Sequence, residues 1–256
     1  PLVSHPDVDL VSFTGGTSTG EKVAASAAPM FKKISLELGG KNASIVFADC
    51  NMDSTVEGVV RSGFLNQGQV CLCGSRILVE DGIYDEFEKR FVESVEKMTV
   101  GDPLDESSEL GALISPEHLE KVRGCIELAK EEGGTILTGG IPNLPSQFDG
   151  GNWISPTVIG SLKYDSRCAT EEIFGPVVSL HRFESEEEAI EIANCTRYGL
   201  AGSVWTEDLE KGSIDARVSS IKQTLEEADL IITAFGYDAN LPDIVRETGD
   251  ASGKVE

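Results

Sequence analysis

The residues that could do chemistry fall in four short stretches. The first is Phe64-Leu65-Asn66-Gln67-Gly68-Gln69-Val70-Cys71-Leu72-Cys73-Gly74-Ser75-Arg76. Here a helix runs into a polar, glycine-containing segment that delivers a cysteine just ahead of a strand. A nucleophilic thiol wants that setting: partial exposure, with backbone N–H groups that stabilise a thiolate and then an oxyanion. The plain alternative is a free cysteine packed as a small hydrophobe. A Cys71/Cys73 metal pair is a third reading. It is weak, because no second Cys/His pair with ligand spacing exists and the chain has only 3 His. No metal is expected.

The second stretch is Leu36-Glu37-Leu38-Gly39-Gly40-Lys41. A glutamate between two leucines at a strand end is expected to be partly buried, and burial moves a carboxyl group toward general-base chemistry. The alternative is an edge-strand carboxylate facing water. The third is Phe13-Thr14-Gly15-Gly16-Thr17-Ser18-Thr19-Gly20. A strand, a glycine-rich turn and a helix start form a phosphate cradle through backbone N–H groups and the helix dipole. An ordinary βα turn looks similar, and the spacing is not GxGxxG. The fourth, Glu171-Glu172-Ile173-Phe174-Gly175-Pro176-Val177, is a turn into a strand with a carboxylate and an exposed aromatic. A plain turn is its alternative.

The elements that must position these stretches alternate between strand and helix patterns. Strands are expected at 10–13, 34–38, 43–48, 76–79, 177–183 and 200–205, and helices at 21–28, 117–132, 186–193 and 209–218. Asp53 is expected to cap a helix carrying Val56, Val59, Val60 and Phe64. Tyr84, Phe87, Phe91, Val95 and Met98 recur at steps of 3 and 4, one apolar stripe of a helix. Ser185 followed by Glu188 is a capping box. Residues 141–152 read as a surface loop. The alternation means an α/β protein with a largely parallel sheet.

Composition sets the outer bounds. The chain has 256 residues, 21 basic and 44 acidic, for a formal charge of −23. One or two domains are expected at roughly 150 residues each. Such an acidic surface repels polyanions, so neither nucleic acid nor an anionic membrane is an expected partner. No apolar run is long enough to span a bilayer. Six cysteines in a chain of this length, without a visible signal peptide, read as reduced thiols. Asn42-Ala43-Ser44 and Asn194-Cys195-Thr196 fit the glycosylation pattern, which matters only in a secreted protein. The chain opens on Pro1 without an initiator Met and is expected to be a fragment or a processed piece.

In this order the four stretches resemble the NAD(P)-dependent aldehyde dehydrogenases, over about Pro1 to Ser219. The stretches around Glu37 and Cys71 are similar to that family's two diagnostic motifs. Phe-Thr-Gly-Gly-Thr and Glu-Glu-Ile-Phe-Gly-Pro-Val are similar to its cofactor-contacting motifs. Within the family, Cys71-Leu72-Cys73, 111–115 and 118–123 look most like the 2-aminomuconic semialdehyde dehydrogenase branch.

The resemblance implies that Cys71 attacks an aldehyde carbon and that Glu37 activates the water that hydrolyses the resulting thioester. It implies that Gly15, Gly16, Gly20 and Leu38 line the cofactor, that Glu172 binds the nicotinamide ribose, and that Phe174 packs beside it. The implied cofactor is NAD, with NADP open, and the partner is a small-molecule aldehyde. A cytoplasmic homo-oligomer is the family's form.

The implied fold is α/β: a three-layer parallel-sheet catalytic domain over 38–219, preceded at 1–37 by only the end of the dinucleotide-binding domain. Residues 220–256 are expected to be an unassigned tail with a disordered end, lacking the family's Phe-Gly-Gly-x-Lys-x-Ser-Gly type motif and oligomerisation strand. The family's first half is expected to be absent. That leaves two alternatives to a dehydrogenase: a catalytically silent binding or structural protein, and a cofactor-independent thiol esterase. A truncated sheet is also expected to associate through uncovered edges.

Overall fold

The computed structural model describes residues 2–208, except 143 and 145. The helix expected over 209–218 and the whole 220–256 segment lie outside the described residues. A small parallel sheet pairs β1 (Leu10–Thr14) with β2 (Lys33–Glu37), joined by α1 (Thr17–Ala27). This helix begins four residues before the expected start at Glu21. Thr19 N and Gly20 N already donate to Gly16 O, each at 3.0 Å, so the glycine-rich turn shrinks to Gly15-Gly16.

The larger sheet contains β3 (Ala43–Val46), β4 (Arg76–Glu80), β5 (Thr135–Gly140), β6 (Ser155–Gly160), β7 (Val177–Phe183) and β8 (Gly202–Trp205). Its order is β5-β6-β7-β4-β3-β8. Every pair is parallel except β5 with β6. That antiparallel hairpin, closed by the expected 141–152 loop, was not legible as two strands.

Parallel central strands are buried on both faces and so read as continuous apolar runs. Alternate residues then serve opposite layers. On one face, Ile77, Val79, Val178 and Leu180 pack against α2 (Met52–Phe64) and α3 (Tyr84–Glu96). Tyr84, Phe87, Phe91 and Val95 of α3 are all buried, and Met98, the fifth residue of the expected stripe, lies just past the helix end. Burying each such side chain contributes about 1.5–3 kcal/mol, against roughly 0.5 kcal/mol of poor helix propensity, so packing decides the element.

On the other face, Ile159 and Val177 pack with α4 (Pro116–Glu131) and α5 (Arg167–Thr170). Ala43, Ile45 and Leu78 pack there with α6 (Glu186–Asn194). The result is a three-layer α/β/α unit.

The caps follow the chemistry of the sequence with one correction. Asn51, not Asp53, caps α2: its side chain accepts from Ser54 N at 3.2 Å. Ser115 and Ser185 cap α4 and α6. Among the described residues no helix is long and apolar enough to cross a membrane.

The chemistry-bearing stretches share one location. Residues 39–42, 71–75, 172–176 and 195–201 lead into β3, β4, β7 and β8, at the N-terminal ends of these parallel strands. Gly15-Gly16 and Glu37-Leu38 leave β1 and β2 at their C-terminal ends. Residues 38–42 therefore carry the chain from the exit of one sheet to the entrance of the other.

Candidate active site

The Cys71 loop starts from an anchored point, since Phe64 at the end of α2 is fully buried. Three successive residues then take left-handed backbone conformations: Asn66 (φ 51), Gln67 (φ 57) and Gly68 (φ 65). Such strain persists only where the surroundings enforce it. Asn66 Nδ2 donates to Gln69 O at 3.2 Å, and Gln69 Oε1 accepts from Ile114 N at 3.1 Å. A Cβ on Gly68 would lie 2.2 Å from Gly175 O, so the Cys71 loop and the Phe174 loop touch through bare backbone.

Cys71 follows, half-buried, with Leu72 exposed and Cys73 buried. The N–H groups of Cys73, Gly74 and Ser75 are bonded to Val70 O, Ser62 O and Cys73 O. Among the described residues no acceptor meets the Cys71 N–H. Burial pushes the Cys73 thiol up to about 11, which keeps it protonated and inert at neutral pH. All six cysteines are free.

Asn42 is a residue to which the sequence assigned no part in the site; it stood out only for fitting a glycosylation pattern that matters in a secreted protein. It is 4% exposed. Its Nδ2 donates to Cys71 O at 2.8 Å and to Cys73 O at 3.0 Å, and its Oδ1 accepts from Ala201 N at 3.0 Å. The only signal in the sequence was a polar residue at the entrance to a strand that is otherwise buried.

Glu37 is the last residue of β2. It is exposed, so the expected partial burial is not found. The cause is the small sheet's shape: it has two strands, and among the described residues nothing covers the face that Glu37 occupies. Its carbonyl accepts from Gly15 N at 3.0 Å, fixing the phosphate-cradle turn to the strand end.

Gly16 caps α1 without a side chain, and a Cβ there would meet nothing within 4 Å. Open space therefore fronts the helix N-terminus, where an anion is favoured. Gly20 is buried one turn in, and a Cβ there would lie 2.5 Å from Leu38 Cδ2. Gly20 thus lets Leu38 approach α1.

Glu172 is half-buried, and its Oε1 accepts from Gly40 N at 3.2 Å. Phe174 is 37% exposed and itself left-handed (φ 60). Two residues of α4 hold this loop. Lys121 Nζ donates to Glu172 O at 3.1 Å, and His118 Nε2 lies 2.5 Å from Phe174 O. The His118 and Phe174 rings also meet edge to face, with centroids 6.1 Å apart.

Three basic side chains lie buried behind the site, two of them charged at neutral pH. Arg76 donates to Lys41 O, Ile192 O and Ala193 O, closing the C-terminus of α6, where a cation is favoured. Burial pushes the Lys41 ammonium down to about 8, and the Arg76 charge pushes the same way. Burial, with the charges of Arg76 and Lys41, pushes His181 down to about 3. Its Nε2 lies 2.8 Å from Ser179 Oγ.

The structure thus brings Cys71, Gly39-Gly40, Glu172 and the Phe174 loop into contact, with Gly15, Gly16, Gly20 and Leu38 adjoining through β2. Among the described residues no cluster of metal-ligating side chains occurs.

The aldehyde dehydrogenase family matches residues 1–217. A 2-aminomuconic semialdehyde dehydrogenase from Mus musculus is 53% identical over 211 residues, covering 81% of this chain and 43% of that protein. A 2-hydroxymuconic semialdehyde dehydrogenase from Pseudomonas putida is 47% identical over 223 residues, covering 85% of this chain and 46% of that one. Among solved structures, betaine aldehyde dehydrogenase from Staphylococcus aureus in complex with NAD+ superposes with a TM-score of 0.82 at 41% identity. That match covers 85% of this chain and 43% of the other. The chain spans less than half the length of these relatives.

Proposed function

Because the chain belongs to the aldehyde dehydrogenase family, we propose that it carries the acyl-transfer centre of an aldehyde-oxidising site, with Cys71 as nucleophile and Glu37 as general base. The carrying observation is the convergence at Gly40. Its N–H holds the Glu172 carboxylate at 3.2 Å, and a Cβ there would lie 2.9 Å from Cys71 O. Three motifs that are distant in sequence meet at one backbone position.

The Cys71 thiolate attacks the aldehyde carbon, and the carbonyl electron pair moves onto oxygen. The free Cys71 N–H donates to that oxyanion. When bound, a nicotinamide cofactor supplies the hydride acceptor. Loss of hydride from the thiohemiacetal carbon leaves a thioester on Cys71. Glu37, exposed at the end of β2, takes a proton from water as the water oxygen adds to the thioester carbon. The C–S bond breaks, the acid departs and the Cys71 thiolate returns.

The residues present fit the cofactor. Gly15, Gly16 and the open N-terminus of α1 would hold a phosphate, with Gly20 and Leu38 packed behind them. Glu172 would accept from ribose hydroxyls while Gly40 fixes its other side. Phe174 would pack against the ring and ribose. NAD is the first candidate, from the NAD+ held by the Staphylococcus aureus relative, and NADP is the second. The relatives' names make semialdehydes the first substrates to try. We assign 1–37 to the end of a cofactor domain and 38–219 to a catalytic domain.

The test is NADH formation by the 256-residue chain with a panel of aldehydes, run beside Cys71→Ala and beside hydrolysis of an activated ester. Turnover lost in Cys71→Ala supports the dehydrogenase. Ester hydrolysis alone, lost in the same variant, leaves the thiol esterase. A folded chain with neither activity is the silent protein.

A further inference from the structure

We propose that Asn42 is a positioning residue for the nucleophile: its amide fixes the Cys71–Cys73 turn and ties it to the start of β8. The inference rests on reading Cys71 as the nucleophile, and it concerns a residue that takes no part in the steps above.

The residue type follows from the bonds. Two carbonyls, Cys71 O and Cys73 O, approach Nδ2 at 2.8 and 3.0 Å, and one N–H, from Ala201, approaches Oδ1 at 3.0 Å. A primary amide has two N–H donors and an acceptor in one plane, which matches this set. A carboxylate of the same shape has no donor and would face two carbonyl oxygens. A serine has one donor.

The packing leaves the bracket little freedom. A Cβ on Gly40 would lie 2.8 Å from Asn42 Oδ1 and 2.9 Å from Cys71 O, so the Gly40 backbone closes over the bonds. The same backbone holds Glu172. Holding the Cys71 carbonyl sets the peptide plane that follows the nucleophile, and with it the direction of the side chain.

Asn42 is buried beside a strand of Ala43, Ile45 and Val46. An apolar residue there would need no partner of its own, but it would leave Cys71 O and Ala201 N without the bonds the amide gives them, so a purely structural role is the competing reading that the experiment must separate. A buried amide is tolerated only when bonded. The glycosylation pattern Asn42-Ala43-Ser44 is explained in the same way. Asn42 is enclosed, and Ser44 Oγ accepts from Ser203 Oγ at 3.0 Å across β3 and β8.

The experiment is alkylation of the 256-residue chain by iodoacetamide across pH, with the Cys71-containing peptide followed by mass. Asn42→Ala is compared with Thr157→Val, which alters a buried hydroxyl on β6 that is bonded to Ser155 O and to none of residues 70–74. Hydrogen exchange of residues 70–74 is read in parallel.

Positioning predicts that Asn42→Ala lowers the alkaline-plateau rate at Cys71 by about tenfold and speeds exchange at 70–74, while Thr157→Val leaves both unchanged. Asn42→Ser, with one donor kept, falls between, and it serves as the test should the alanine variant not fold. A purely structural Asn42 lowers the urea midpoint but keeps the parent plateau rate in the folded protein, and that result overturns the proposal. If Cys71 of the parent reacts no faster than Cys195, the nucleophile reading fails first, and this inference fails with it.

Discussion

The Gly40 N–H donates to Glu172 Oε1 at 3.2 Å, a bond between residues 132 positions apart in sequence. It joins the glycine pair after Glu37 to the loop ahead of β7. Gly39 is equally committed, because a Cβ there would lie 2.1 Å from Glu172 Oε2. The two glycines form the floor on which the carboxylate rests.

Gly39→Ala is therefore expected to move Glu172 without unfolding the chain. The atoms in the way are the end of a flexible side chain, which can swing aside. Stability should change by less than about 1 kcal/mol. Affinity for NAD+ should fall about tenfold, as expected for losing one oriented charge-assisted contact. Calorimetric titration of NAD+ into parent and variant checks both the direction and the size.

Gly68→Ala is expected to behave differently, because what it meets is backbone. The added Cβ would lie 2.2 Å from Gly175 O, and the residue sits at φ 65. Left-handed strain and overpacking together should destabilise by about 2–4 kcal/mol. Urea unfolding reads this directly, and the Cys71 and Phe174 loops should both gain hydrogen exchange.

What the sequence made legible was local. The stripe of Tyr84, Phe87, Phe91 and Val95 is a period, and it became the buried face of α3. Cys71 and Glu172 stand in contiguous motifs, so their neighbours in the chain were enough to single them out as candidates. Asn42 was missed because its role depends on partners 29, 31 and 159 residues away. For Glu37 the sequence left partial burial and an edge-strand carboxylate facing water both open, and the second holds, because exposure depends on how few strands flank β2. Asp53 lost the cap to Asn51 because two capping residues stood two positions apart, and the chain is extended at Asn51 (φ −71, ψ 103). The hairpin of β5 and β6 was hidden because glycine and proline at its strand ends read as breakers.

His181 should make the fold acid-sensitive. Burial, then the Arg76 and Lys41 charges, push its pKa from 6.5 to about 3. Between these values the unfolded chain binds a proton that the folded chain refuses. Stability from this group is thus complete above about pH 6.5 and is lost as pH falls toward 3. From pH 7 to 5 the parent should lose about 2 kcal/mol more than His181→Gln. Urea midpoints of both proteins at the two pH values test this. Parallel losses would mean that other groups govern the acid limb.

Lys41 should act at the alkaline end. Burial pushes its pKa from 10.5 to about 8, so at neutral pH the folded chain carries an ammonium that it disfavours. Between pH 8 and 10.5 the folded form sheds the proton before the unfolded form does, and stability rises through that window. Lys41→Met keeps the length of the side chain and removes the charge. It should stabilise the chain at pH 7 by roughly 3 kcal/mol, an advantage that fades as pH approaches 10.5. The Cys73 thiol, pushed by burial up to about 11, lowers stability above pH 9 in both proteins and cancels in the difference. The Cys168 thiol, also pushed by burial up to about 11, is held down by the Lys41 charge, so it moves further up in the variant and makes the advantage fade faster above pH 9. Curves that stay parallel from pH 7 to 10.5, with the variant below the parent, would mean that the ammonium is held by its surroundings and that Lys41 belongs to the charge balance around Glu172.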